Sequence, residues 1–119
     1  MTGRRPLGSL ELEILEILWQ SNDPLTPSEV LDRLDAELAY TTVMTVLGRL
    51  WQKGLAQRSK SGRAFAYAAS MSEADFSADR MRRALESSHD AMATMSQFVD
   101  RLDVEQQRQL RALLEERRS

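Results

Sequence analysis

Residues Tyr40 to Gly54 read Y-T-T-V-M-T-V-L-G-R-L-W-Q-K-G, and this one stretch carries two stripes on a single helical period. Val43, Val46, Leu47 and Leu50 recur at the three-and-four spacing that buries one face of an α-helix. Thr42, Thr45, Arg49 and Gln52 recur on another face, where short hydroxyls fit close to a groove and a guanidinium can pair with a guanine edge or a phosphate. Taken alone, that face reads equally as a helix that recognises nucleic acid and as the solvated side of an ordinary amphipathic helix.

The residues that follow shift the balance. Gly54 ends the helix, and Leu55–Lys60 and Arg63–Ala68 read as two short strands around Ser61-Gly62, a turn dipeptide. A helix followed by a hairpin suggests a winged helix. Phe65 and Tyr67 alternate with alanines, so one face of the second strand packs inward, while Arg58, Lys60 and Arg63 are expected to cluster near the tip, within reach of phosphates. Edge-strand cations also block aggregation, and that reading stays open.

Upstream, Gly8-Ser9 opens a helix with Leu10, Ile14, Ile17 and Leu18 on its apolar stripe, stopped by Asn22-Asp23-Pro24. Thr26-Pro27-Ser28-Glu29 is a capping box with proline at the first helical position, starting a second helix through about Leu34. Leu25-Thr26 is a candidate third short strand for the hairpin. From Met71 the pattern is helical only. Ser72 with Asp75 signals a cap, and Met81, Leu85, Ser88, Met92, Met95, Val99 and Leu102 follow a four-three spacing that predicts a seam across three heptads. Asp103 with Gln106 starts a last helix bearing Leu110, Leu113 and Leu114. A tail of this size has too little core of its own, so its stripe needs a partner, either a second copy of the tail or the N-terminal domain; the twofold dimer is favoured.

Composition sets the outer limits. The chain has 119 residues, no cysteine, one histidine and a formal net charge of −2. No zinc site can use thiolates, and His89 stands outside any ligand pattern, with Glu86 and Asp90 read as a solvated helix face; no metal or cofactor is expected. No apolar run approaches the roughly 20 residues that span a bilayer, and Arg4 and Arg5 precede no long apolar core, so a cytoplasmic address is expected. No Walker loop, G-x-S-x-G or dinucleotide fingerprint is present, so no enzyme activity is expected. The acidity conceals an asymmetry. Across residues 1–70 eight Lys and Arg balance eight Asp and Glu, yet residues 39–70 contain Arg49, Lys53, Arg58, Lys60 and Arg63 and no carboxylate. Such a local patch can dock on phosphates while the rest of the molecule repels non-specific contact.

The segment A-Y-T-T-V-M-T-V-L-G-R-L-W-Q-K-G-L, the wing G-R-A-F-A-Y and the late L-D-V-E-Q-Q-R-Q-L-R-A-L-L resemble the penicillinase-repressor (BlaI/MecI) family over nearly the whole chain. The resemblance implies a bacterial winged-helix repressor that dimerises through a helical C-terminal domain and binds inverted repeats in promoters, of beta-lactamase-type or related stress genes. Residue by residue, Thr41, Thr42, Thr45 and Arg49 match its recognition-helix motif, and Lys60 and Arg63 match its wing. Two departures stand out. Copper-responsive members carry paired cysteines near the C-terminus, which this chain lacks, so copper sensing through thiolates is excluded. Relatives that respond to beta-lactams are cleaved at an asparagine-phenylalanine bond in the dimerisation domain; here the matching place reads Gln97-Phe98, the point where a regulatory protease would act, although Phe98 reads equally as a packed interface residue. Gly48 inside the recognition helix is a third peculiarity, costing on the order of 1 kcal/mol against alanine.

The expected architecture is therefore mainly α with a small β-hairpin: a winged helix-turn-helix DNA-binding domain over residues 1–70 and a helical dimerisation domain over 71–119. Double-stranded DNA would meet Thr41, Thr42, Thr45, Arg49, Lys53, Lys60 and Arg63. The homodimer interface would use Met81, Leu85, Met92, Met95, Phe98, Val99, Leu102, Leu110, Leu113 and Leu114. Two other readings remain: a winged helix serving as a protein–protein interaction module, and a small-molecule sensor, for which the sequence offers no convergent polar cluster.

Overall fold

The computed structural model describes residues 7–34 and 37–118, so Arg4 and Arg5 lie outside the described residues. Among the described residues, six helices and one hairpin run in the order α1 (Leu7–Gln20), α2 (Pro27–Arg33), α3 (Tyr40–Gln52), β1 (Ala56–Ser61), β2 (Ala64–Ala69), α4 (Glu73–Glu86), α5 (Ala91–Arg101) and α6 (Val104–Glu116). The chain divides into two compact units, Met1–Phe76 and Ser77–Ser119. The division falls later than the change of sequence pattern at Met71 because the chain beyond the hairpin is tied back to α1. The Trp19 indole N–H donates to the Met71 carbonyl at 2.9 Å, and the Trp19 and Phe76 rings lie 5.5 Å apart.

The first unit holds the core. Ile14, Leu15 and Leu18 of α1, Leu25, Val30 of α2, Val43, Val46, Leu47 and Leu50 of α3, and Ala56 and Tyr67 of the hairpin form one buried cluster. Leu15, absent from the expected stripe of α1, is buried, whereas Leu10 and Ile17 pack at its margin. Each fully buried leucine or isoleucine here contributes roughly 1.5–3 kcal/mol relative to exposure. The capping box of α2 is formed on both sides: the Glu29 N–H donates to Thr26 Oγ1 at 3.3 Å and the Thr26 N–H donates to Glu29 Oε1 at 2.9 Å.

Gly54 terminates α3 by adopting φ +79°, a conformation that costs glycine nothing. The Leu55 N–H then reaches back to the Leu50 carbonyl at 2.9 Å and the Gly54 N–H to the Trp51 carbonyl at 3.1 Å, the paired bonds of a Schellman motif. The hairpin that follows is antiparallel, with Arg58 opposite Tyr67 and Lys60 opposite Phe65. Both strands lie one residue later than expected, and the loop is Gly62-Arg63 rather than Ser61-Gly62. Gly62 sits at φ +66° and Arg63 does not share a positive φ, the type II′ pattern whose twist suits a two-residue hairpin. The candidate third strand reduces to one bridge: Leu25 and Tyr67 exchange N–H···O bonds of 2.8 and 2.7 Å.

In the second unit the Met81 to Leu102 spacing does not lie on a single helix. α4 ends at Glu86, and Asp90 caps a new helix by accepting the Ala93 N–H at 3.0 Å. The break is chemical. Ser87 Oγ donates to the Ala84 carbonyl, Ser88 Oγ accepts the Asp90 N–H, and these local bonds compete with helix continuation. The capping box at α6 forms between Asp103 and Gln106 as the sequence predicts, and Ser72 Oγ accepts the Asp75 N–H ahead of α4.

The α2 cap supplies a pH test. The backbone hydrogen bond from Thr26, and then that from its hydroxyl, hold the Glu29 carboxyl below its ordinary 4.5. A depressed folded-state value means the stabilisation is present above the unfolded value and lost as pH falls through the folded one. Glu29→Gln retains an acceptor oxygen without the charge, so the thermal midpoints of wild type and variant should differ above pH 4.5 and converge below it. A gap that stays constant down to pH 3 in calorimetry would show that the charge contributes nothing.

Candidate nucleic-acid interface

Because residues advance about 100° per step around a helix, burying Val43, Val46, Leu47 and Leu50 turns Thr41, Thr45, Gly48 and Gln52 directly outward, with Thr42 and Arg49 on one flank and Tyr40, Met44 and Trp51 on the other. Thr41, Thr42, Thr45, Val46 and Arg49 line a shallow surface depression of about 250 Å³. Four of the seven site residues expected from the sequence are thus brought together on one helix face. The Thr45 hydroxyl donates to the Thr41 carbonyl at 2.8 Å, which commits its proton and leaves its lone pairs and methyl group for an external partner.

The N-terminus of α3 differs from those of α2, α4, α5 and α6, which are capped by Thr26, Ser72, Asp90 and Asp103. Its N-cap is Ala39, which supplies no side-chain bond. The Thr42 N–H donates to the Ala39 carbonyl at 3.0 Å, so the N–H groups of Tyr40 and Thr41 and the positive end of the helix dipole are what an anion would meet there.

The cations fall into three groups. Arg49, Lys60 and Arg63 have no hydrogen-bond or ion-pair partner among the described residues, and all three are exposed. Lys53 is engaged: its Nζ lies 3.0 and 2.9 Å from the two carboxylate oxygens of Glu11, tying the end of α3 to α1. Arg58 is not at the wing tip as the sequence suggested. Its alternation places it on the inward face of β1, where its Cζ stands 3.6 Å from the Trp51 ring centroid and 4.1 Å from that of Phe65. The exposed Trp51 at the end of α3, a tryptophan outside the polar stripe, was the signal that this arginine has an aromatic seat. Lys60 Nζ lies 6.0 Å from the Phe65 centroid, at the far end of the same face.

Among the described residues no group of three or more His, Cys, Asp or Glu is placed to hold a metal ion, and no helix is long and apolar enough to cross a membrane. A helix presenting hydroxyls and a guanidinium, followed through a Schellman turn by a cationic hairpin, is the architecture of winged-helix DNA-binding proteins. Comparison with known proteins agrees. The penicillinase repressor family pattern matches residues 7–116. Transcriptional regulator BlaI of Mycobacterium tuberculosis is 36% identical over 115 residues, which span 92% of this chain and 83% of that protein. Among solved structures, the monomeric form of Bacillus licheniformis BlaI in complex with the blaP half-operator is 28% identical, covering 63% of this chain and 93% of that one at a TM-score of 0.48. A mutant of S. aureus MepR covers 91% of this chain and 75% of its own at 19% identity and a TM-score of 0.51, a likeness of fold alone. The chain belongs to the penicillinase repressor family, and it is a DNA-binding transcriptional repressor. Its relatives in this class are regulators rather than enzymes.

Gly48 offers a direct test of the exposed face. A Cβ built there meets nothing within 4 Å, so nothing in the fold requires glycine at this position. Gly48→Ala should stabilise the protein by about 1 kcal/mol. Such a gain corresponds to a rise in thermal midpoint of roughly 4–8 °C for a domain of this size. A fall in midpoint would indicate a packing role that the structure does not contain.

Proposed function

We propose that the repressor works as a cytoplasmic homodimer, without catalysis, that binds inverted-repeat operators and silences the promoters they overlap. The observation that supports this most strongly is the outward face of α3, where Thr41, Thr42, Thr45 and Arg49 lie together opposite the buried stripe. Thr42, Thr45 and Arg49 face base edges in the major groove, and Thr41, with the uncapped start of α3, meets a phosphate. Lys60 and Arg63 meet phosphates from the wing. Lys53 contributes less than a free lysine, because two of its three N–H donors are held by Glu11.

Dimerisation is assigned to the second unit, in which no described residue is buried. Met81, Met92, Met95, Phe98, Val99, Leu113 and Leu114 are exposed, and Leu85, Leu102 and Leu110 are half-buried. Helices with this much exposed apolar surface need a second chain to build a core. In helix-turn-helix dimers the half-sites lie one helical turn apart, roughly 34–36 Å centre to centre, so twofold symmetry in the protein implies an inverted repeat in the DNA. A regulatory protease acting near Gln97-Phe98 belongs to the same reading. That bond lies within α5, so cleavage requires the helix to open locally.

Fluorescent duplex from the promoter upstream of the repressor's own gene should bind two chains tightly, lose affinity steeply as salt rises, and outcompete a scrambled duplex. Binding that ignores salt would favour a protein–protein interaction module instead. Arg49→Ala should cost roughly 1–3 kcal/mol and relax specificity at one position of each half-site, whereas Lys60→Ala should weaken all sequences alike and lower the salt slope by about 1. Equal behaviour of the two variants sinks the assignment of bases to α3 and phosphates to the wing. Phe98→Asp should convert the dimer to monomer in sedimentation equilibrium, and an unchanged mass would remove α5 from the interface.

A further inference from the structure

Arg58 is the one cation of the 39–70 segment whose guanidinium is held by the fold itself. Trp51 closes one side at 3.6 Å and Phe65 lies at 4.1 Å, so the group is seated between the last turn of α3 and the second strand of the wing. A guanidinium stacked on an aromatic face keeps its in-plane N–H donors for other partners. Among the described residues no carboxylate, carbonyl or hydroxyl accepts from them, and the segment has no carboxylate of its own. The side chain is half-buried, so its rotamers are already restricted before any ligand arrives.

Position supplies the rest. A helix seated in the major groove is flanked by phosphodiester ridges, and the ridge on the wing side passes between helix and hairpin. Arg58 bridges those two elements, whereas Lys60 and Arg63 lie further along the hairpin and Arg49 lies on the opposite flank of α3. We propose that Arg58 is a pre-organised phosphate clamp: Trp51 and Phe65 hold its guanidinium between recognition helix and wing so that its in-plane N–H pair grips one DNA phosphate. The proposal rests on the reading of α3 and the hairpin as the DNA-binding face. It makes Trp51 and Phe65 positioning residues rather than contacts.

The test measures the dependence of log affinity on log salt for the promoter duplex, with a scrambled duplex beside it, using the full chain. Arg58→Gln removes the charge and should lower affinity roughly tenfold per chain on both duplexes. It should also reduce the salt slope by about 0.9 per chain bound, the signature of one lost phosphate contact. Arg58→Lys keeps the charge but not the planar fork; the slope should stay near that of wild type while affinity falls. Trp51→Leu should weaken binding without the full slope change, because the cation remains but is no longer held. Thermal melts of all three keep a folding defect visible, and Arg58→Lys carries the test if Arg58→Gln does not fold. An unchanged slope in folded Arg58→Gln, with or without weaker binding, overturns the clamp and leaves the DNA-binding face standing. Failure of the wild type to bind either duplex overturns the underlying reading instead.

Discussion

Burial of Val43, Val46, Leu47 and Leu50 is the constraint on which the rest of the molecule depends. A helix has a single rotational setting in which those four side chains all leave water, and that setting fixes Thr41, Thr45, Gly48 and Gln52 outward with Thr42 and Arg49 beside them. The same burial positions the wing. Leu50 is both the last fully buried residue of α3 and the carbonyl that accepts the Leu55 N–H, so the core anchor and the turn into the hairpin share one residue. A substitution that loosened Leu50 would therefore disturb the groove-facing side chains and the wing together, although neither contacts it through a charged group.

Much of this was legible because it rests on periodicity and local hydrogen bonding. The α3 stripe, the capping boxes at Thr26 and Asp103 and the stop at Gly54 are all set by residues within a few positions of one another. What the sequence concealed depends on pairs distant along the chain. Lys53 meets Glu11 across 42 positions, and nothing near Lys53 announces it. Arg58 stands opposite Tyr67, two pairs further from the turn than Lys60, and its seat is made by Trp51 on another element, a pairing that local sequence does not announce. The helix break inside the Met81 to Leu102 spacing has another cause. That spacing runs through Ser87-Ser88-His89-Asp90, where side-chain oxygens offer the backbone better partners than another helical turn does.

Net charge is a poor guide to a site of this kind. The chain as a whole is acidic, but between Ala39 and Ser70 there is no carboxylate, and Glu11 reaches in from α1 to pair with Lys53. That bridge is a surface pair, and such pairs contribute on the order of 0–1 kcal/mol. Its larger effect is on distribution. By engaging Lys53 it leaves Arg49, Arg58, Lys60 and Arg63 as the cations of this segment whose side-chain N–H groups have no acceptor among the described residues, which concentrates attraction along the exposed side of α3 and the hairpin.

The two units also differ in what keeps them folded, and that difference bears on regulation. The first contains a closed apolar cluster; in the second no described residue is buried, and its helices are held by caps and surface pairs such as Arg82 with Asp79 and Glu86. Surface pairs of that sort cannot offset the conformational entropy of ordering three helices. On the dimer reading, the stability of the second unit is inseparable from protomer concentration. Phe98 would then be covered in the dimer and accessible in the monomer, so partner chain and protease would compete for the same helix.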